Sequence, residues 1–315
     1  MRISLVGNVG SEHSSESHHA KTLESMGHEV VRMQEGVATG DQIFFQASRS
    51  DMLVYVHTHG RRTPGRVPLE RVLAELNSRR IPTVTYHLDL WLGLQRQSDL
   101  ERDPFYRSIG WFFTVDKLMA DWFCENTAVK GRFLPAGVFE PECYISDEPS
   151  RHANDVVFVG SRGYHPEHPY RGKLIDWLRR TYGTRFTHVG GDGDTGTLRG
   201  DDLNRMYANS KVAVGDTLCI GFDYPYYVSD RLFEAGGRGA CQVFPRIKGV
   251  EDWYSEDKHL LLYDFDNFIE LRIKIDWLLS HSAEREAMRR AALEHTKAHH
   301  TYTQRWQTIL DTVFA

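Results

Sequence analysis

The feature that most restricts the fold of this chain is an alternation of short strand-like segments with longer segments of helical periodicity. The strand-like segments are rich in β-branched and aromatic residues, whereas the others carry apolar residues at helical spacing. The alternation is interrupted at 135–155 and then begins again. Because alternating strands and helices form parallel sheets, the sequence predicts an α/β protein built from two such blocks.

The predicted elements follow from this periodicity. The strands of the first block are RISLV (2–6), EVVRM (29–33), DMLVYVHTHG (51–60), PTVTYHLD (82–89) and WFFTV (111–115). The helices of the first block cover 15–27, 68–80 and 116–123. The strands of the second block are DVVFVG (155–160), RFTHVG (185–190), KVAVGD (211–216), ACQVF (240–244) and HLLLYD (259–264). The helices of the second block cover 170–182, 201–210, a segment that starts at Ser229, and most of the chain after 264.

The interruption at 135–155 contains three prolines, several acidic residues and little periodicity, which is typical of a linker. A chain of 315 residues also exceeds the usual size of one hydrophobic core. We therefore predict a first domain over 1–143 and a second domain over 151–300.

Composition excludes several classes of protein. The net charge of −5 argues against a strongly basic, non-specific nucleic-acid binder, although a local basic patch is compatible with it. The four cysteines form no C-x-x-C pair, so we expect neither a disulfide framework nor a zinc site, and a reduced cytoplasmic setting. No apolar run approaches the length of a membrane span, and the N-terminus does not resemble a signal peptide.

In a parallel sheet, ligands bind beyond the carboxyl ends of the strands, so the residues after each strand are informative. Gly7, Asn8 and Gly10 follow the first strand, where glycines let a backbone approach a phosphate. Their spacing is not G-x-G-x-x-G, and an ordinary tight turn explains them equally well. His87 and Asp89 follow the fourth strand and either handle protons in a cleft or form a polar pair in a loop.

Cations surround the first strand of the second block. Ser161 and Arg162 follow that strand, and Arg171 and Lys173 lie at the start of the next helix. The helix dipole favours anions at this end, so a bound phosphate would explain the cations. Solvated surface cations are the equally weighted alternative.

The loop HTHGRRTPGR (57–66) concentrates basic residues in the first block. These residues are His57, His59, Arg61, Arg62 and Arg66. Such a cluster fits an anionic partner, but a solvated loop is the simpler explanation. Neither the histidines nor the segment GGDGD (190–194) provides the ligand set of a metal site, so we predict no metal.

The segment YVSDRLFEAGGRGACQVF (227–244) contains two unfavourable features for a helix. Asp230 and Glu234 are like charges four residues apart, which would lie on one face of a helix. Gly236, Gly237 and Gly239 then follow, and glycine disfavours helix formation. Both features are typical of a segment that contacts a ligand.

This segment is also the main element of a family resemblance. SDRLFEAGGRGACQVFPRIKGVEDWYSEDKHLLLYD (229–264), with EREAMRRAALEHTKAHHTYTQRW (284–306), resembles the donor-sugar domain of GT-B glycosyltransferases. The nearest type is the group-one, CgeB-like (spore-maturation-like) family, which includes compact phage-type members. The resemblance covers most of 155–310. In the first block it is looser and involves the glycine turn, SHHA, YHLDLW, FFTVD and LPAGV.

The resemblance implies a GT-B fold, in which two Rossmann-like domains face each other across a cleft and the last helix, at about 301–315, returns to the first domain. It implies a nucleotide-diphosphate-sugar donor, no required cofactor or metal, and retention of configuration. Glu234 would hold the donor ribose, Arg162, Arg171 and Lys173 would neutralise the diphosphate, and backbone groups at Ser229 would add hydrogen bonds. The remaining donor-side residues implied in this way are Gly7, Asn8, Gly10, Ser161, Asp216, Tyr226, Asp230 and Arg231. His87 with Asp89 would lie near the transferred sugar and act in catalysis, and the basic loop at 57–66 would contact the acceptor.

One position departs from the family pattern. Many relatives carry a second glutamate eight residues before the ribose-binding one, and Tyr226 occupies that position here. Asp223 or Asp230 are alternative replacements, and the sequence does not choose between them. The identity of the sugar is therefore open.

Several functions are compatible with the sequence. A UDP- or GDP-sugar-dependent glycosyltransferase is the first, with either a 5-hydroxymethylpyrimidine base in DNA or a hydroxyl of a small molecule, glycan or protein as acceptor. A nucleotide-sugar epimerase is the second, and a non-catalytic sugar-nucleotide sensor is the third. The sequence does not decide the oligomeric state.

Overall fold

The computed structural model of this chain describes residues 1–58, 60–89, 97–163, 169–217 and 226–315. Contacts between residues divide the chain into two compact units. Unit one comprises Met1–Pro135 and Tyr302–Ala315, and unit two comprises Ala136–Thr301. The division at residue 135 coincides with the start of the proline-rich segment at 135–155.

Unit one contains a parallel sheet with helices packed against it. Its strands are β1 (Arg2–Gly7), β2 (Glu29–Gln34), β3 (Met52–Tyr55), β4 (Thr83–His87), β5 (Trp111–Thr114) and β6 (Lys130–Phe133). Its helices are α1 (Ser15–Ser25), α2 (Gly40–Ala47), α3 (Leu69–Ser78), α4 (Gln97–Arg102), α5 (Phe105–Ser108) and α6 (Lys117–Asn126). The strand order is β2-β1-β3-β4-β5-β6, and every pairing is parallel.

Side-chain caps fix where several of these helices begin. Ser14 accepts a hydrogen bond from the amide of Ser17 at the start of α1, and Asp116 accepts one from Met119 at the start of α6. Thr39 and Gln42 form a reciprocal capping box at the start of α2. Each cap satisfies backbone donors that a helix leaves without a partner. The positions of the helix starts are therefore encoded locally.

Unit two contains a second parallel sheet. Its strands are β7 (Val156–Val159), β8 (Phe186–Val189), β9 (Val212–Val214), β10 (Gln242–Pro245) and β11 (Leu261–Tyr263). Its helices are α7 (Tyr170–Tyr182), α8 (Gly200–Asn209), α9 (Arg231–Gly237), α10 (Phe268–Ser280) and α11 (Ser282–His299). The strand order is β11-β10-β9-β7-β8, and every pairing is again parallel. Two parallel sheets with flanking helices confirm the predicted α/β class.

The last helix, α12 (Tyr302–Val313), belongs to unit one. Trp306 is completely buried, and its indole Nε1 donates a hydrogen bond to Nδ1 of His19 at 3.2 Å. His19 lies in α1, and burial lowers its pKa to about 3, so the ring is neutral at physiological pH. A neutral imidazole can accept this bond, and the buried indole then keeps its hydrogen-bond partner.

Three differences from the predicted elements have simple causes. The strand predicted over 51–60 ends at Tyr55, because the polar residues after it form a loop. The helix predicted to start at Ser229 begins at Arg231. Helix α2 and strand β6 were not predicted, since KGRF at 130–133 has no apolar alternation and the eight residues of α2 are few for a periodic signal.

In the part of the chain that the structure describes, no helix combines the length and apolar character required to cross a bilayer. Cys124, Cys143 and Cys241 are free thiols, and Cys219 lies outside the described residues.

Candidate functional site

The carboxyl edge of the unit two sheet is organised by a buried ion pair. Nε of Arg171 lies 2.6 Å from Oδ2 of Asp216, and Nη2 lies 3.1 Å from Oδ1. Nη1 of Arg171 donates to the carbonyl oxygen of Ser161 at 2.9 Å. Only 7% of the arginine side chain and 6% of the aspartate side chain are exposed. The pair therefore joins the start of α7 to the loops that follow β7 and β9.

The other two cations predicted around the donor diphosphate are exposed and also paired. Both terminal nitrogens of Arg162 bond the carboxylate of Asp176 at 2.6 Å, and this hydrogen bonding raises the pKa of Arg162. Nζ of Lys173 bonds both oxygens of Asp266, at 2.6 and 2.7 Å. Exposed pairs of this kind are weak, so either cation can exchange its carboxylate for a phosphate at little cost.

Three charged residues lie together at the start of helix α9. Asp230 and Glu234 are the like charges noted in the sequence, and Arg231 lies between them along the chain. Burial lowers the pKa of Arg231, but the carboxylates of Asp230 and Glu234 outweigh burial and raise it above its ordinary value. Arg231 thus compensates the repulsion between the two acids. No hydrogen bond of its side chain occurs among the described residues, so its guanidinium can bind an anion.

The start of α9 differs from the prediction in detail. The hydroxyl of Ser229 donates to Oδ1 of Asp230 at 3.0 Å and accepts from the amide of Arg231 at 3.3 Å. Asp230, rather than Ser229, is the residue that precedes the helix. The amide of Arg231 is consequently occupied by a side chain.

The three glycines of this segment are explained by packing within unit two. A Cβ atom on Gly236 would lie 2.9 Å from Oγ1 of Thr296, and one on Gly237 would lie 3.0 Å from Sγ of Cys143. Gly239 has a φ of +74° and would contact Ile145. These distances are too short for a side chain, so the glycines allow close approach of neighbouring segments rather than of a ligand.

Tyr226 is held in an unusual backbone conformation. Its φ is +58°, which is uncommon for a residue other than glycine and costs on the order of 1 kcal/mol. Its amide donates to the carbonyl of Lys248 at 2.7 Å, and its ring lies against Gly249, where any Cβ atom would collide with it. The ring is thus fixed on the loop after β10. Asp223, the alternative acid at this place, lies outside the described residues.

The glycine turn after β1 is held by hydrogen bonds and packing contacts with neighbouring residues of unit one. A Cβ atom on Gly7 would lie 2.6 Å from Cγ of Glu16, which explains the absence of a side chain there. The amide of Gly10 donates to Oε1 of Gln34 at 2.7 Å, and the carbonyl of Asn8 accepts from Ser14 at 2.6 Å. Close packing of α1 on the turn accounts for Gly7, and a phosphate contact at this turn stays a prediction.

His57 lies between two carboxylates at the carboxyl edge of the unit one sheet. Its Nδ1 lies 2.9 Å from Oε1 of Glu35, and its Nε2 lies 2.9 Å from Oδ2 of Asp103. Burial lowers the pKa of His57, but hydrogen bonds to Asp103 and Glu35 outweigh burial and raise it to about 8. Both ring nitrogens are occupied, so His57 holds three chain segments together. Its contact with an acceptor stays a prediction.

A cavity of about 440 Å³ lies beside this histidine, wholly within unit one. Its charged and titratable lining residues are His57, Arg61, Arg62, Glu70, Arg102 and Asp103. Arg61 and Arg62 were predicted from the basic loop, whereas Arg66 does not line the cavity and His59 lies outside the described residues. The sequence does not predict Glu35, Arg102 or Asp103 as site residues. Glu35 directly follows β2, so the rule that selected the other residues after strands would have found it.

His87 is buried at the end of β4, with its ring centre 5.5 Å from that of Phe112. Its Nδ1 accepts a long hydrogen bond of 3.4 Å from the amide of Asp89. This contact brings the two residues together, as the sequence suggested. Their catalytic role stays a prediction.

The titration of His57 gives a test of its role in unit one. An imidazole with a pKa of about 8 when folded and 6.5 when unfolded stabilises the folded state by about 2 kcal/mol. This stabilisation is complete below pH 6.5 and disappears as the pH rises through 8. We expect His57→Gln to lower the free energy of unfolding more at about pH 6 than at about pH 9. An equal loss at both pH values would contradict the doubly paired imidazolium.

Comparison with known proteins adds two findings. Residues 171–311 match a family model described as glycosyl transferase-like, which covers less than half of the chain. No curated protein sequence matches the chain significantly.

Solved structures match over the full length of the chain. An alpha-glucosyltransferase in complex with UDP-glucose and DNA containing an abasic site has 14% identity, covers 100% of both chains, and superposes with a TM-score of 0.72. HepE from Anabaena in complex with UDP and glucose has 13% identity, 99% coverage of both chains and a TM-score of 0.64. Sucrose-phosphate synthase from Thermosynechococcus elongatus has 10% identity, covers 100% of this chain and 99% of its own, and has a TM-score of 0.63. At these identities the likeness concerns the fold, and the fold of this chain is the α/β GT-B fold of glycosyltransferases.

Proposed function

We propose that this protein transfers a sugar from a nucleotide-diphosphate sugar, with UDP or GDP as the nucleotide, to a hydroxyl group of an acceptor. The observation that carries the proposal is the Arg231–Glu234 pair on α9. It lies inside the segment matched by the glycosyl transferase-like family model, and Arg231 is charged. A cation and an acid one helical turn apart suit the diphosphate and the ribose hydroxyls of one donor.

The proposed chemistry needs charge stabilisation at the leaving diphosphate. Arg231 supplies a guanidinium, and Arg162 and Lys173 add cations when they release their surface carboxylates. Arg171 contributes indirectly, because it fixes the carbonyl of Ser161 and the carboxylate of Asp216. In this proposal side chains alone neutralise the diphosphate and no metal is required. His87 with Asp89 assists at the acceptor hydroxyl, and transfer proceeds with retention.

For the acceptor, we propose a 5-hydroxymethylpyrimidine base in DNA. The alpha-glucosyltransferase of the same fold was solved with DNA, and the basic residues Arg61 and Arg62 face a cavity of unit one. A hydroxyl of a small molecule, glycan or protein is the alternative acceptor. A nucleotide-sugar epimerase would use the same donor site without any acceptor.

A donor and acceptor panel separates these functions. The protein is incubated with UDP- and GDP-sugars, with and without DNA containing 5-hydroxymethylcytosine, and sugar on the DNA is measured by mass spectrometry. Transfer to DNA would support the whole proposal. Transfer to another hydroxyl compound would keep the glycosyltransferase and exclude the DNA acceptor. Isomerisation or hydrolysis as the sole activity would exclude glycosyl transfer.

The donor assignment has its own variant. The nucleotide diphosphate that raises the melting temperature of the protein is the ligand for this test. Glu234→Ala should weaken its binding by about 10- to 100-fold, because hydrogen bonds to a charged group are worth roughly 1.5–3 kcal/mol. Glu294→Ala removes an exposed glutamate of α11 and serves as the matched control. Equal donor affinity of Glu234→Ala and wild type in calorimetry would refute the ribose assignment.

A further inference from the structure

The cavity of unit one has a cationic wall. Arg61, Arg62 and Arg102 all line it, although they come from two separate segments of the chain. Among the described residues, the side chains of Arg62 and Arg102 have neither a hydrogen bond nor an ion pair. Nη1 of Arg61 donates to the backbone carbonyl of Glu35 at 3.3 Å, which leaves its charge without a carboxylate. Three guanidinium groups around one cavity repel each other unless an anion lies between them.

The nearby carboxylates are turned to another partner. Glu35 is 98% buried and accepts hydrogen bonds from His57 and from the amide of Thr58. Asp103 accepts from Nε2 of His57 through one oxygen and from the amide of Phe105 through the other. Glu70 is the remaining acid of the lining. Glu35 and Asp103 are therefore paired with His57 rather than with the arginines of the cavity.

We propose that this cavity is an anion-binding site that takes the phosphate group of a phosphate-bearing acceptor. A phosphate offers several acceptor oxygens that match the fork of donors on each guanidinium. The cavity of about 440 Å³ lies within the range of small-molecule sites and exceeds a bare phosphate, so it accommodates a phosphate with an attached nucleotide-sized group. The identification of this group as an acceptor rests on the proposed function, whereas binding of the anion does not.

His57 has a positioning role in this site. It ties Glu35, which follows β2, to Asp103, which precedes α5, and it is itself at the end of the loop that carries Arg61 and Arg62. The titratable groups that face it are these two carboxylates, with Arg61, Tyr55 and Tyr106 beside them. When His57 loses its proton, one ring N–H remains for two carboxylates. One of the two hydrogen bonds that hold the segments around the cavity is then lost. Anion binding should therefore weaken as the pH rises through about 8.

The test uses the full chain and three probes that share a phosphate: inorganic phosphate, a 5′-mononucleotide and an unmodified DNA oligonucleotide. Affinity is measured by calorimetry and by fluorescence anisotropy at low salt. Arg62→Ala and Arg102→Ala should each weaken binding by about tenfold, because each removes a charge-assisted hydrogen bond. Arg71→Ala removes an exposed arginine of α3 outside the cavity and should leave the affinity unchanged. Arg66→Ala should have a smaller effect than either cavity variant.

The outcomes distinguish a nucleic acid from a small molecule as the source of the phosphate, and they distinguish a failure of the anion site from a failure of the proposed function. Binding of the oligonucleotide alone would support the site with a nucleic acid as its ligand, and equal binding of the mononucleotide would support it with a small phosphorylated molecule. No binding of any probe, or full affinity of Arg62→Ala and Arg102→Ala, would overturn the proposal. The shift in melting temperature caused by UDP or GDP tests the donor site in unit two separately, so a failure of one proposal leaves the other measurable. If His57 has this positioning role, the affinity of the wild type for the anion falls above about pH 8, and the affinity of His57→Gln does not change with pH. A wild-type affinity that does not change with pH would exclude the role.

Discussion

Replacing Arg171 with alanine should lower the free energy of unfolding of the protein by about 3–5 kcal/mol, the largest stability effect that we expect from a single charged residue here. The substitution leaves the carboxylate of Asp216 buried, with its two hydrogen bonds to the guanidinium removed. The carbonyl of Ser161 loses a donor at the same time. Chemical denaturation followed by circular dichroism measures the change.

Two further variants compare the stability contributed by the buried pair with that of an ordinary surface pair. Arg162→Ala breaks the exposed pair with Asp176 and should cost no more than about 1 kcal/mol. Replacing both partners, as Arg171→Met with Asp216→Leu, should recover most of the lost stability, because no unpaired charge is then buried. If Arg171→Ala were as stable as Arg162→Ala, the pair would not be the element that holds the loops after β7 and β9.

Arg231→Ala should reduce kcat/KM for glycosyl transfer by about 100-fold, which corresponds to the loss of roughly 3 kcal/mol of charge stabilisation at the leaving diphosphate. Arg231 is the cation nearest to Glu234 in the sequence, and its pKa is raised by Asp230 and Glu234, so it stays charged at every physiological pH. The expected loss falls mainly on the transition state, because negative charge develops on the diphosphate as the glycosidic bond breaks. Steady-state kinetics with the donor identified by the panel measures it.

The matched control for Arg231 is Arg290→Ala, which removes an exposed arginine of α11. This control should retain full activity. Arg231→Lys should recover only part of the rate, since an ammonium provides the charge without the planar fork of donors. Full activity of Arg231→Ala would refute its assignment to the diphosphate, and a loss of folding would be visible as a lower melting temperature than that of the control.

The arrangement of elements was largely predictable because it follows from periodicity in the chain. The buried strands β1, β7 and β9 are mostly apolar runs bounded by turn residues, and α3 and α7 have apolar residues at helical spacing. The sequence does not predict the short elements without such a signal, namely α2, α4, α5 and β6. The sequence predicts the start of α9 at Ser229, two residues too early, because the amide of Glu234 bonds the carbonyl of Asp230 and the helix begins at Arg231.

The sequence predicts where the candidate residues lie relative to the strands, but it does not predict which side chains they contact. Arg171 was expected at a phosphate and instead bonds Asp216, which lies 45 residues away in the chain. The glycines after Glu234 were interpreted as signs of a ligand, yet Thr296 and Cys143 occupy the space that their side chains would need. Arg102 and Asp103 belong to a segment for which the sequence predicted no element, so nothing marked them as neighbours of His57.

The sequence by itself determined the α/β class, the two blocks and the strand ends after which the candidate residues lie, because periodicity and turn chemistry are properties of neighbouring residues. The tertiary structure alone decided which charged side chains are paired with one another and which line a cavity. The one-letter sequence is the same for an arginine that is buried against Asp216, for one that is paired at the surface with Asp176, and for one such as Arg62 that lines a cavity and forms no ion pair among the described residues. The difference lies in distances and burial between segments far apart in the chain, which set the electrostatic energy of each group.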